Sequence, residues 1–170
     1  MQTLPQIEAA YEGKIRFVFR DFAVHGQPAV KMAEAADCAG DQGKFWEYHD
    51  KLWASFQASS QQAQTSALVT ALKGYASELG LDTATFDECL DSGKYASEVQ
   101  KDSQDAQSYG VTGTPAFFVN GRPVKGAIPL ADYQDTSGAT QPGFKSIIDA
   151  ALTGGESGTP IPTVTSGSGG

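Results

Sequence analysis

The sequence predicts an α/β domain with a block of inserted helices, and three observations lead there. A strand-like alternation, KIRFVFRDF, occupies 14–22. Five helical patterns then succeed one another between Pro28 and Tyr109 with no strand pattern among them. After them comes GVTGTPAFFVNG (110–121), a proline-tipped loop that runs into a short apolar strand and an Asn-Gly turn.

The elements follow in order. TLPQIEAAYEG reads as a helix closed by Gly13, a residue suited to the left-handed conformation at a helix end. In 14–22, Ile15, Phe17 and Phe19 alternate with Arg16 and Arg20, the period of a strand with one solvent face. A loop, AVHGQ, leads to Pro28, which suits the first turn of a helix because its missing N–H is not needed there. That helix, AVKMAEAADCA, has a narrow small-residue stripe of Ala29, Met32, Ala33 and Ala36. The next, at about 43–57, sets Phe45, His49, Leu52, Trp53 and Phe56 at helical spacing, the heaviest apolar face of the chain. QASSQQAQTS (57–66) reads as a loop or frayed end, and 67–80 as a helix stopped by Gly80. Asp82 or Thr83 caps a short helix through Leu90, with Gly93 after it, and a polar helix spans about 94–108.

Beyond the opening motif, Asn120-Gly121 predicts a hairpin turn, with Pro123 keeping the return strand at an edge. Residues 127–143 read as an irregular connection and 144–153 as a closing helix. Residues 154–170, rich in Gly, Ser, Thr and Pro, have the composition of a flexible tail.

Composition excludes several functions. A chain of 170 residues suits one domain with a real core. A net charge of −8 and the lack of any basic run argue against nucleic acid and against anionic membranes. Lys14, Arg16 and Arg20 are the nearest thing to a basic run and read as the solvent face of the strand. No apolar stretch approaches the ~20 residues needed to span a bilayer. MQTLPQIEAAYEGK has neither the basic start nor the apolar core of a secretory signal.

The chemistry-bearing residues are few. Cys38 and Cys89 are the only cysteines and stand 51 positions apart, so neither is half of a Cys-x-x-Cys pair. Their residue context reads as two buried free thiols, common for cysteine. His49 lies on the apolar stripe with Phe45 and Trp53, where a hydrogen-bonded core histidine is expected, and His25 lies in a loop. Two histidines without spaced partners make no zinc pattern, so no metal and no cofactor is expected. The acidic residues from Asp82 to Asp105 read as a solvated helix face, and Gly110 and Gly113 belong to no dinucleotide fingerprint.

Three blocks in this order, IRFVFRDFAVHGQPA, AEAADCAGDQGKFWEYHDKLW and GVTGTPAFFVNGRPVKGA, closely resemble the DsbA-like branch of thioredoxin-fold proteins, and the resemblance covers residues 4 to about 152. It implies one thioredoxin-like domain over 1–153, with a helical insertion at about 28–109. It also implies a first strand and a Cys-x-x-Cys at the start of the first helix. Neither occurs in this sequence, which starts at Met1 inside the matching helix. The chain is therefore expected to be an N-terminally truncated thiol-disulfide oxidoreductase with no catalytic residue and no dithiol activity of its own. The strand at 14–22 and the strand at 116–119 would lack a neighbour, so strand donation or swapping from another chain is expected. By the same resemblance, Gly113, Thr114 and Pro115 form a cis-proline loop facing extended or unfolded polypeptide substrates, with Phe117 and Val119 behind it. A redox partner protein is a further implied partner. Cys38 and Cys89 would form a structural disulfide in the insertion, and the family's setting is extracytoplasmic. Two other readings stand beside this one. The first is a non-redox, chaperone-like peptide binder. The second is a glutathione-transferase-like relative, which FRDF and GKFWEYHD fit less well.

Overall fold

The computed structural model describes residues 3–55 and 65–154, which fall into two units. One joins the residues up to Phe19 with those from Val111 onward, and the other runs Arg20–Gly110. The elements are α1 (Thr3–Ala10), α2 (Gln27–Gly40), α3 (Phe45–Ala54), α4 (Thr65–Glu78), α5 (Thr83–Ser92) and α6 (Ala96–Ser108). They are followed by β1 (Ala116–Val119), β2 (Arg122–Lys125), β3 (Tyr133–Gln134), β4 (Thr140–Gln141) and α7 (Phe144–Leu152).

The unit formed by the chain ends is built on the β1–β2 hairpin. Asn120 (φ 46°) and Gly121 (φ 81°) are both left-handed, the requirement of a two-residue turn whose twist matches its strands. Phe117 therefore stands opposite Val124, and Phe118 opposite Pro123. Val124 is buried with Ile7 and Tyr11 of α1 and Phe144 and Ile148 of α7, and Phe117 and Val119 pack against this cluster. Phe117 and Phe144 meet edge to face, with ring centroids 5.0 Å apart. The Tyr11 hydroxyl donates to Asp149 Oδ1 at 2.7 Å, with the Lys145 carbonyl at 3.1 Å, which ties α1 to α7.

The helical unit packs α2 among α3, α4, α5 and α6. Ala35, Ala36 and Ala39 let neighbouring helices approach closely, and Tyr48, Leu68, Leu72, Phe86 and Leu90 fill the space around them. Tyr48 lies at 0% exposure, so its hydroxyl needs a partner, and it donates to the Leu72 carbonyl at 2.8 Å. Burying Phe86 alone is worth about 2–3 kcal/mol. Asp82 is the cap of α5, accepting from the Thr85 N–H at 2.8 Å, and Gly93 ends that helix in the left-handed region. Cys38 of α2 and Cys89 of α5 are joined as a disulfide.

Several expectations need correction. Residues 14–22 form no strand: Ile15 packs into the core, but among the described residues β1 pairs only with β2 and no strand lies beside 14–22. An alternating pattern becomes a strand only where a neighbour satisfies its backbone. Of the stripe read on α2, Ala36 is buried and Met32 packs against the core while Ala29 and Ala33 are half-buried, and Glu34, Ala35, Cys38 and Ala39 make up the rest of the buried face. In α3 the buried residue is Tyr48, while Trp53 is 61% exposed. His49 is accordingly a half-buried residue, not a core one. The connection read as irregular over 127–143 holds the small β3–β4 pair. Its turn is organised by Asp135, whose carboxylate accepts from the Ser137 and Ala139 N–H groups and from Gln141 Nε2. Asp102 departs from the solvated acidic face, being buried and paired with Arg20 at 2.5 Å. The tail at 155–170, Phe56 and most of the polar run at 57–66 lie outside the described residues.

Candidate functional site

Val111 to Pro115 runs as an irregular segment straight into β1. Thr114–Pro115 is a cis peptide bond. Gly113 and Thr114 are exposed and Pro115 is half-buried. A methyl group placed on Gly113 would meet no atom within 4 Å, so the backbone here is open to an approaching chain. β1 continues the path with β2 along one edge only, and among the described residues no strand covers the other. Such an edge offers a row of N–H and C=O groups to an extended polypeptide. The strand is held rigidly from behind, through Phe117 and Val119 on the cluster of α1 and α7.

Asp132 fixes the helix that supplies this backing. Its Oδ1 accepts from the Gly143 N–H at 2.9 Å and from Ser146 Oγ at 2.6 Å, at the start of α7. These bonds hold the Asp132 carboxyl below the usual carboxylate range. Burial, and then the bond to Asp149, raises the Tyr11 hydroxyl above its ordinary value, so it acts as a fixed donor.

No thiolate is available in the chain. Its two cysteines are bonded to each other, and Cys38 and Cys89 are only 1% and 8% exposed. They belong to the helical unit, whereas Gly113, Thr114 and Pro115 belong to the other. His49 Nε2 accepts from Trp53 Nε1 at 3.0 Å and its Nδ1 lies 3.2 Å from Asp50, while His25 is exposed in its loop. Among the described residues no group of His, Cys, Asp or Glu is arranged to hold a metal ion. Sequence reasoning missed that the Asp21, Asp37 and Asp102 carboxyls act on one another. The adjacency of Arg20 and Asp21 at the end of an apolar run was the available signal.

The family model described as thioredoxin matches residues 1–136. The chain belongs to the thioredoxin family. It is 43% identical over 111 residues to a protein named Na(+)/H(+) antiporter NhaA 1 from Salinispora arenicola (strain CNS-205). That match covers 64% of this chain and 16% of the relative. It is also 29% identical over 135 residues to disulfide bond formation protein D of Bacillus subtilis (strain 168), covering 77% of this chain and 59% of that protein. A protein named Na(+)/H(+) antiporter NhaA from Herminiimonas arsenicoxydans is 32% identical over 121 residues, 71% of this chain and 18% of its own length. The chain thus spans less than two thirds of each of these relatives. Among the described residues no helix is long and apolar enough to cross a membrane.

Proposed function

We propose that this chain is the polypeptide-holding part of a DsbA-like thiol-disulfide exchange protein. The observation that carries this reading is the uncovered edge of β1, reached through the exposed Gly113–Thr114 backbone. The likeness to disulfide bond formation protein D supports the thiol-disulfide exchange class, and an extended or unfolded polypeptide is the partner that an open strand edge suits. Gly113, Thr114 and Pro115 receive the polypeptide, and β1 pairs with it by main-chain hydrogen bonds, so recognition tolerates many sequences.

Thiol-disulfide exchange proceeds by attack of a thiolate on a disulfide sulfur. With both sulfurs joined to each other in the helical unit, this chain alone supplies no attacking group. The exchanging dithiol belongs to a Cys-x-x-Cys outside these 170 residues or to a redox partner. The same open edge suits a strand donated by another chain. The Cys38–Cys89 disulfide suits an extracytoplasmic setting, where such bonds persist.

The test uses an unfolded peptide with its cysteines alkylated, alongside the same peptide N-methylated at alternate backbone positions. Saturable binding of the first and at least about tenfold weaker binding of the second are expected, since methylation removes the main-chain donors. Equal binding of the two would refute edge pairing. In parallel, insulin reduction by this chain should stay at the uncatalysed rate, and turnover would overturn the assignment of the dithiol elsewhere. The non-redox, chaperone-like reading rests on the same edge. Sequence read upstream of the Met1 codon separates the two: an in-frame Cys-x-x-Cys supports exchange, and its absence supports peptide holding alone.

A further inference from the structure

The helical unit begins at Arg20, and its first residues are fastened to α6. The Asp21 N–H donates to Asp102 Oδ2 at 3.3 Å and the Ala23 N–H to Ser103 Oγ at 3.1 Å. Arg20 Nη2 lies 2.5 Å from Asp102 Oδ1 and 3.8 Å from Asp105 Oδ2. α6 ends at Ser108, two residues before Gly110, the last residue of the unit. The chain is therefore pinned on entry to the same helix by which it leaves.

The charges around this fastening do not balance. Asp37 on α2 is acted on by Asp21, Glu98, Asp102 and Asp41, and Asp21 by Asp102, Arg20 and Glu98. The cations acting here are Arg20 and Lys101, and Lys101 lies 2.5 Å from Asp105. The other lysines of the helices packed on α2 have partners of their own: Lys31 with Glu34, Lys44 with Glu47, and Lys51 with Glu78. Lys73 is held by Asp87 and Asp91, and Lys94 by Asp41. Asp21, Asp37, Glu98 and Asp102 thus share little more than one guanidinium. Like-charged carboxyls in partly buried surroundings cannot all ionise without cost.

We propose that Arg20–Ala23 and α6 form a proton-operated latch, closed while the carboxyls of Asp21, Asp37 and Asp102 share protons around Arg20 and loosened when all three are ionised. The direction follows from the environment. Burial first, then neighbouring carboxylates, raises Asp21 from 3.8 to about 6 and Asp37 from 3.8 to about 7. Both folded-state values lie above the unfolded ones, so the stabilisation is complete below the ordinary carboxylate range and disappears as the pH rises through about 6 and then about 7. Asp102 is also raised, because its burial outweighs the attraction of Arg20. The latch therefore responds near neutrality, although no histidine takes part in it.

Amide hydrogen exchange of the whole chain, normalised to intrinsic rates, tests this at Asp21 and Ala23. Between about pH 5.5 and about pH 8, protection at these two amides should fall about tenfold, the factor carried by one unit of displaced pKa. Amides of Leu72 and Phe86 in the buried cluster should hold their protection. In Asp37→Asn, which keeps the shape and removes one titrating group, the fall should shrink to about threefold or less. Protection that stays flat in the unaltered chain, or an unchanged fall in both Asp37→Asn and Asp21→Asn, overturns the latch. Should either variant not fold, carboxyl-carbon titration of the unaltered chain decides: displaced midpoints at Asp21 and Asp37 support the latch, and midpoints near the ordinary carboxylate value reject it.

Discussion

Replacing Gly143 with alanine tests the support behind β1 most directly. Gly143 has φ −80° and ψ 178°, a backbone any residue adopts, so the substitution carries no conformational penalty. Its cost is contact alone. The new Cβ would fall on the carbonyl group of Ala131 and within 2.6 Å of the Leu130 oxygen. These are backbone atoms, and no side-chain rotation relieves them. The 129–132 segment cannot withdraw freely either. Its Pro129 and Leu130 carbonyls accept from the Phe144 and Lys145 N–H groups at 3.0 and 2.9 Å, and Asp132 holds the Gly143 N–H. Making room means pulling the segment away from the first turn of α7. Overpacking typically costs about 1–3 kcal/mol, and two weakened backbone bonds cost about 1 kcal/mol each, so a loss of about 3 kcal/mol is expected. In a chain of this size that lowers Tm by about 6–12 °C. Phe144 begins α7 and packs edge to face on Phe117, so peptide binding at the β1 edge should weaken in parallel. Urea denaturation followed by circular dichroism measures the first effect, and titration with the alkylated peptide the second. A Gly143→Ala chain within about 0.5 kcal/mol of the unaltered one would show that the segment yields and that the close approach supports nothing.

The other predictions concern separate parts of the molecule. Replacing both Cys38 and Cys89 with serine removes a cross-link across 51 positions and should cost about 4 kcal/mol on the chain-entropy account, read as the shift in urea midpoint; a change below about 1 kcal/mol would contradict it. Tyr11→Phe removes the donor that links α1 to α7 and should cost about 1 kcal/mol, seen as faster exchange of the α1 amides; unchanged exchange would mean that the link bears no load. The bonds from Ser137 and Gln141 depress Asp135 to about 2, so the order they give the β3–β4 turn should persist above the ordinary carboxylate value and fade as the pH falls towards about 2. The Ser137 and Ala139 amide shifts should follow that midpoint, and a midpoint near the ordinary value would refute the arrangement.

What could be read in the sequence was whatever local chemistry determines. Asn120-Gly121 specified its turn because both positions need left-handed backbone, and Asp82 and Gly93 marked the ends of α5 because a cap and a left-handed stop act within one turn. The loop at Gly113, Thr114 and Pro115 was legible as a motif. The strand edge beside it, which no strand covers among the described residues, depends on neighbours distant in sequence. Residues 14–22 failed for the same reason, since their alternation was real but no strand among the described residues lies beside them to make them one. Side-chain spacing on α3 placed Trp53 inward, yet the helix turned Tyr48 to the core because the Leu72 carbonyl satisfies its hydroxyl there. Asp102 looked like one more acidic surface residue, because nothing within helix α6 reveals that Arg20 reaches it.

On the proposed thiol-exchange reading, the two units divide the labour in an unusual way. Cysteine sulfur in this chain sits only in the helical unit, buried and spent on joining α2 to α5, where it stabilises and cannot attack. The β1 edge proposed to hold a polypeptide lies in the other unit, which contains no cysteine. Holding and exchange are therefore separable here by experiment. Substitutions at Cys38 and Cys89 should lower stability without changing the chemistry, and substitutions behind β1 should change binding without touching any thiol. If loss of the disulfide altered the rate of insulin reduction under conditions where the chain stays folded, that division would be wrong and the helical unit's sulfurs would have to take part in exchange.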